Sequence, residues 1–223
     1  MQKIAHHAFI CTSPSRLLNE MKSGTLFALS QASEAALSVL LSRQSSWPLA
    51  EPGPTSAQLD LVFDAGLRAP DHGRLRPWRY VLIRGEARRH LGDVLVDIAC
   101  ARSPDEPRSA HEHKRRKAFA APAIIALGAA VNTETHIPEQ EQLFAVAASA
   151  MNMLNAIYAL GLGGFWATGP DSYDDRLHAA LGFQASERLL GFLFVGTPQQ
   201  VDRTAARPAR SDHVREWHAP AGG

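Results

Sequence analysis

Between Arg68 and Trp78 the sequence reads Arg68-Ala69-Pro70-Asp71-His72-Gly73-Arg74-Leu75-Arg76-Pro77-Trp78, three arginines and one histidine in a single short stretch. A guanidinium is a planar, permanently charged fork, so such a loop can hold a phosphate or a carboxylate. A solvated connection, with Asp71 neutralising the arginines, is the other reading. A second group, Arg43-Gln44-Ser45-Ser46, offers one forked cation beside neutral donors. It suits an anion too, although an arginine past a helix end also compensates the helix dipole. A third group, Gly161-Leu162-Gly163-Gly164-Phe165-Trp166, has the glycine density of a dinucleotide loop. It follows a helical pattern and opens a strand, the reverse of that motif. It therefore reads as a helix stop with close packing, or as backbone left open to a ligand.

Other chemistries are excluded by spacing. His111 and His113 stand two apart and face away from each other on a helix, which makes them a poor metal pair. Lys114-Arg115-Arg116-Lys117 has acidic neighbours at Asp105, Glu106 and Glu112 and no interleaved aromatics, so it reads as a solvated helix face rather than a nucleic-acid patch. GxSxG, HExxH and Walker patterns are absent. No catalytic side chain and no metal ligand is predicted.

The 223 residues suit one domain with its own core. With 23 basic against 22 acidic residues the net charge is +1, so no global field draws in nucleic acid or an anionic membrane. Two cysteines, Cys11 and Cys100, fit a reducing compartment, and residues 1–7 lack the apolar core of a secretory signal. A cytoplasmic protein is expected. Residues 143–170 carry no charge, but Ser149, Asn152 and Asn155 interrupt them, which predicts a helix buried in protein rather than a membrane span.

The elements that would position these groups alternate. Helices are predicted over about 25–41, from the Thr55/Gln58 capping box to Arg68, over 86–100, within 102–118, over 138–161 and over 174–181. Strands are predicted over 78–83, 121–131, 164–168 and 189–195. Residues 199–223 form a tail without a core. This order indicates a mixed helix and sheet layer structure.

Taken in order, Arg43-Gln44-Ser45, the Arg68–His72 element with Pro77-Trp78-Arg79 after it, Gly161–Trp166 and Gly191-Phe192-Leu193-Phe194-Val195-Gly196-Thr197-Pro198 resemble the flavin-dependent nitroreductase superfamily, in particular its compact bacterial NAD(P)H nitroreductases. The resemblance covers about residues 34–200. It implies an α+β fold, an α/β/α sandwich around a mostly antiparallel sheet, in an intertwined homodimer with FMN at the interface. It leaves 1–33 as an N-terminal extension and makes 201–223 a C-terminal arm on the dimer partner. It implies a ping-pong hydride transfer from NADH or NADPH to a small acceptor such as a nitroaromatic or quinone. The competing reading is a flavin-binding or interaction protein with little turnover. Carried over by position, Arg43, Gln44 and Ser45 contact FMN, as do Arg68 and His72 across the dimer and Trp166, Ala167 and Thr168 beside the ring. Ala156, Ile157, Tyr158, Ala159, Leu160 and Gly161 match a segment assigned to NAD(P). The sequence departs from the family at Gln44 and Ala167, where the family carries arginines. The expected effect is weaker FMN retention unless Arg74 or Arg76 makes up the charge.

Overall fold

The structure is a computed structural model that describes residues 30–199 and 206–218, and the chain divides into the unit Ser42–Val201 and a second unit made of the flanking stretches. The flanking unit carries α1 (Gln31–Ser42) and a 3-10 turn at Arg210–Asp212. The predicted boundary at residue 33 thus falls inside a helix, and residues 25–29 of the helix expected there lie outside the described residues.

In the unit Ser42–Val201 the order is β1 (Leu49–Ala50), α2 (Ser56–Gly66), β2 (Trp78–Arg84), α3 (Ala87–Arg102), α4 (Arg108–His111), β3 (Ala123–Ala130), α5 (Glu139–Ala159), β4 (Gly163–Ala167), α6 (Asp175–Ala180) and β5 (Glu187–Pro198). Turns of 3-10 helix cover His72–Arg74, Glu112–Phe119 and Pro170–Tyr173. The predicted elements are all present. The two-residue β1 and the 3-10 turns are additions, and β5 runs longer than expected because its far end pairs with β1.

Local chemistry sets the ends. Thr55 caps α2 reciprocally: the Gln58 N–H donates to Thr55 Oγ1 at 3.2 Å, and the Thr55 N–H donates to Gln58 Oε1 at 2.9 Å. At the end of α5 the Leu162 N–H donates to the Ile157 carbonyl and the Gly161 N–H to that of Tyr158, both at 3.0 Å. That is a Schellman closure, and it places Gly161 at φ +74°, where a side chain would be strained.

The sheet is wholly antiparallel. β3 lies between β2 and β5, and β5 carries β4 and β1 along its length. Alternation along β3 explains its unbroken apolar sequence. Ala123, Ile125 and Leu127 pack with Leu59 and Val62 of α2 and with Met153 and Ile157 of α5. Ile124 and Ala126 pack on the other face with Leu91, Leu95 and Ile98 of α3 and Leu177 of α6. Both faces are covered, so neither set can be polar. Each fully buried Ile, Leu or Met side chain stabilises the fold by about 1.5–3 kcal/mol. The expected α/β/α sandwich is the observed fold.

One face of α5 lies against the sheet through Gln142, Val146, Ser149, Ala150, Met153 and Ile157. Its opposite face carries Phe144, 59% exposed, and Met151, 40% exposed. The helix expected to be buried all round is therefore buried on one side by its own unit. Among the described residues no helix is long and apolar enough to cross a membrane.

The run 108–119 is exposed over most of its length, as expected of a solvated face, with local exceptions. His111 is buried, and Arg115 bonds both Asp93 of α3 and Glu112. Arg108 reaches Asp97 at 2.5 Å. The acidic residues that answer this basic run stand partly on α3, outside the neighbours visible in the local sequence.

Candidate functional site

The Ser46 N–H donates to the Gly164 carbonyl at 3.1 Å, and this bond ties the segment after α1 to the start of β4. Glycine at 163 permits the approach, since a Cβ there would lie 2.5 Å from Leu49 Cδ2 and 3.0 Å from Ser46 Cβ. Arg43 and Gln44 are half-buried beside this junction, and Ser45 is exposed. Trp47 turns onto the sheet, its ring 5.5 Å from that of Phe165 and 6.2 Å from that of Phe194. A cavity of about 190 Å³ opens there. Trp47, Phe165, Phe192 and Phe194 give it aromatic walls, and Leu91 and Leu95 of α3 close it on the other side.

Ala167, Thr168 and Gly169 line the same cavity. Trp166 does not. Successive strand residues point to opposite faces, and Trp166 packs toward α5 with its Nε1–H donated to the Leu190 carbonyl at 3.2 Å. The predicted trio Trp166, Ala167 and Thr168 is thus split, and Trp166 anchors the strand that presents the other two. The anchor sits on a bulge. Leu127 pairs with Gly191 and Gly128 with Leu189, which leaves Leu190 as the extra residue. Gly191, at φ +120°, makes this possible: a Cβ there would lie 2.6 Å from the Ala167 carbonyl and 2.7 Å from Thr168 Cγ2.

The cation of the cavity is Lys117, which the sequence did not single out. Its ammonium donates to Asp171 Oδ2 at 2.9 Å, and Arg102 Nη1 donates to Asp171 Oδ1 at 2.7 Å. Burial pushes the Asp171 carboxyl up, but the hydrogen bond and charge of Lys117, with the charges of Lys114 and Arg102, hold it below its ordinary value. Asp174 is held down as well, by Arg176 and then by Arg102. In sequence Lys117 is one of four consecutive basic residues, and Asp171 lies 54 residues away.

The arginine loop stands elsewhere. His72 Nδ1 lies 2.6 Å from Glu141 Oε2 in the first turn of α5. Gly73 seats against Ile137, just before that helix. Asp71 does not neutralise the arginines: its Oδ2 accepts the Arg76 backbone N–H at 2.7 Å. Arg74 and Arg76 adopt φ +54° and +52°, and among the described residues the guanidinium groups of Arg68, Arg74 and Arg76 make no hydrogen bond or ion pair. The Arg43 segment meets β4 just after the C-terminus of α5, whereas His72 holds its N-terminus. Twenty-one residues of helix put about 30 Å between those ends. The chain thus leaves the predicted contacts apart: Ala167 and Thr168 line the cavity, Arg43, Gln44 and Ser45 precede the junction at Ser46, His72 stands at the start of α5, and Arg68 follows Gly66, which packs on Ser149 and Met153 in the middle of that helix.

Residues 156–161 form the last turn of α5 and its cap. The Ile157 side chain is fully buried. The helix end presents carbonyls and the negative pole of its dipole, with no basic residue in the last turn. The segment offers a pyrophosphate no cationic side chain there, the Tyr158 hydroxyl being its one side-chain donor.

Comparisons with known proteins bear on the family and the fold. The nitroreductase family model matches residues 42–197. An Escherichia coli (strain K12) protein named "Putative NAD(P)H nitroreductase YdjA" is 37% identical over 164 residues, 74% of this chain and 88% of its own length. The crystal structure of a nitroreductase-like family protein from Bacillus cereus superposes with a TM-score of 0.71 at 19% identity, covering 88% of this chain and all of that one. A Desulfovibrio desulfuricans structure described as a "putative nitroreductase in complex with fmn" has a TM-score of 0.63 at 24% identity, covering 83% of this chain and 98% of its own. With more than two thirds of its length matched by the family model, this chain belongs to the nitroreductase family.

Proposed function

We propose that the protein is an FMN-dependent oxidoreductase that works as a homodimer and carries hydride from NADH or NADPH to a small acceptor such as a nitroaromatic, quinone or enone. The observation that carries this reading is the separation of two candidate contacts along α5: the segment after Arg43 is joined to β4 just past its C-terminus, and His72 is bonded in its first turn. One chain cannot place Arg43 and His72 on the same small molecule, but a second copy related by a two-fold axis can bring its Arg68 and His72 to the first copy's cavity. The uncharged outer face of α5, with Phe144 and Met151 exposed, offers the surface for that second copy.

The cavity suits part of a flavin. A cavity of roughly 150 Å³ holds a benzene ring, so about 190 Å³ takes one end of the three-ring system and leaves the rest at the protomer surface. A Cβ at Gly169 would have nothing within 4 Å, so the backbone beside Thr168 is open to a planar group. The E. coli relative is named for NAD(P)H, and the D. desulfuricans neighbour is described with FMN.

In this reading Arg43 holds the phosphate as a charged fork and Ser45 adds a neutral donor. Arg68 and His72 of the second copy bind the ribityl side or the pyrimidine edge. The His72–Glu141 bond fixes the imidazole and leaves its other nitrogen for the ligand. Trp47, Phe165 and Phe194 keep water from the buried edge. FMN, when bound, supplies the hydride-accepting ring, so no nucleophile or acid–base pair is required of the protein.

Complementation tests the reading. Arg43→Ala weakens FMN binding by about 1.5–3 kcal/mol through loss of a charge-assisted bond, and His72→Ala lowers occupancy without unfolding the protein. In a mixed dimer of the two variants, isolated through two tags, one site loses both contacts and the other keeps both. It binds one FMN per two chains at wild-type affinity and is bleached there by NADH or NADPH. A mixed dimer no better than either variant refutes the shared site.

A further inference from the structure

The geometry points to Lys117 as the cation that faces the bound flavin ring and takes over the charge missing at Ala167. This inference rests on the FMN reading above. Ala167 lines the cavity with a methyl group, at the position where the sequence resemblance implies a guanidinium. Lys117 is the sole lysine or arginine among the residues that line the cavity.

Its placement is built rather than incidental. The Asp171 carboxylate is 6% exposed, and one oxygen is taken by Arg102 at 2.7 Å. The other receives Lys117 at 2.9 Å, so the ammonium is held where the cavity wall meets the 3-10 turn Pro170–Tyr173. An ammonium has three donors, and Asp171 engages one. The charges also leave a surplus. Asp171 and Asp174 supply two negative charges against the three positive charges of Lys117, Arg102 and Arg176, a net charge of +1. Lys114 adds further positive potential at Asp171. The rest of the lining is mainly aromatic and aliphatic, with Thr168, Asp171 and Ser172 as its polar members, and the Lys117 side chain is half exposed at the cavity's edge. Arg74 and Arg76, the alternative sources of the missing charge, do not line this cavity.

Hydride brings two electrons and one proton, so a flavin ring gains one negative charge at its pyrimidine edge unless water supplies a second proton. An ammonium beside that edge favours the reduced form over the oxidised form. Oxidised FMN is held chiefly through its phosphate and gains less from Lys117. The residue thus sets the reduction potential more than the affinity.

The experiment equilibrates FMN-loaded wild type, Lys117→Met and Lys117→Arg with a reference dye and reads the reduced fraction of each by absorbance. Folding of each variant is checked by thermal melting, and Asp171 keeps Arg102 in all of them. Lys117→Met shifts the equilibrium about tenfold toward the oxidised form, about 30 mV for a two-electron couple, and lowers oxidised FMN affinity by less than that factor. Lys117→Arg stays near wild type. An unchanged equilibrium in folded, FMN-loaded Lys117→Met overturns the assignment of Lys117 and leaves the FMN reading standing. A wild-type protein that binds no FMN overturns both.

Discussion

Replacing Gly191 with alanine tests whether the bulge on β5 positions the candidate site. The residue sits at φ +120°, where a side chain costs about 1–3 kcal/mol in backbone strain. Its new Cβ would lie 2.6 Å from the Ala167 carbonyl, 2.7 Å from Thr168 Cγ2 and 3.0 Å from Trp166 Nε1. Two of these neighbours are a backbone oxygen and an indole fixed by its bond to Leu190, so relief requires β4 to move, at about 1–3 kcal/mol more. The expected loss is therefore about 4 kcal/mol, a large part of the 5–15 kcal/mol typical of a folded protein. Urea unfolding of the flavin-free protein at one fixed concentration measures it. With a slope of about 2 kcal/mol/M the midpoint falls by about 2 M. Gly161→Ala is the control. Its φ is +74°, but nothing lies within 4 Å of the added Cβ, so it costs about 1–2 kcal/mol and leaves FMN binding intact. Gly191→Ala loses FMN as well, because Ala167 and Thr168 are displaced together. If both substitutions cost the same and both proteins hold FMN equally, the bulge does not position the site.

The remaining predictions concern acid and assembly. Asp171 is depressed in the folded protein, so its stabilisation is present above its unfolded pKa of about 3.9 and is lost as pH falls through the folded value. Asp171→Asn is then less stable by about 1–2 kcal/mol at pH 7, its partners being partly exposed, and in chemical unfolding across a pH series the gap closes below about pH 4. Met151→Glu puts a charge on the outer face of α5. Sedimentation of this variant shows a monomer with normal helical content and little FMN. A Met151→Glu protein that remains dimeric places the interface on another surface.

What the sequence showed and what it hid follow from the range of each signal. The α2 start at Thr55, its stop before Pro70, the Gly161 closure of α5 and the two-sided burial of β3 all depend on residues within a few positions of each other. They were legible for that reason. Arg43-Gln44-Ser45 and Ala167-Thr168 were legible through motif likeness, and the bond from Ser46 to Gly164 joins the two segments that carry them. The Trp166 side chain packs on the opposite face from Ala167, as strand alternation alone implies. Trp47, Lys117 and Asp171 were hidden because the cavity draws on segments more than fifty residues apart, and nothing local tells Lys117 from the three basic residues before it. The arginine loop shows the same limit at a larger scale. Its type and spacing announced an anion site, but its distance from Arg43 is set by the length of α5. On the proposed reading the site is complete only when two chains meet, and the mixed-dimer experiment is the direct test of that proposal.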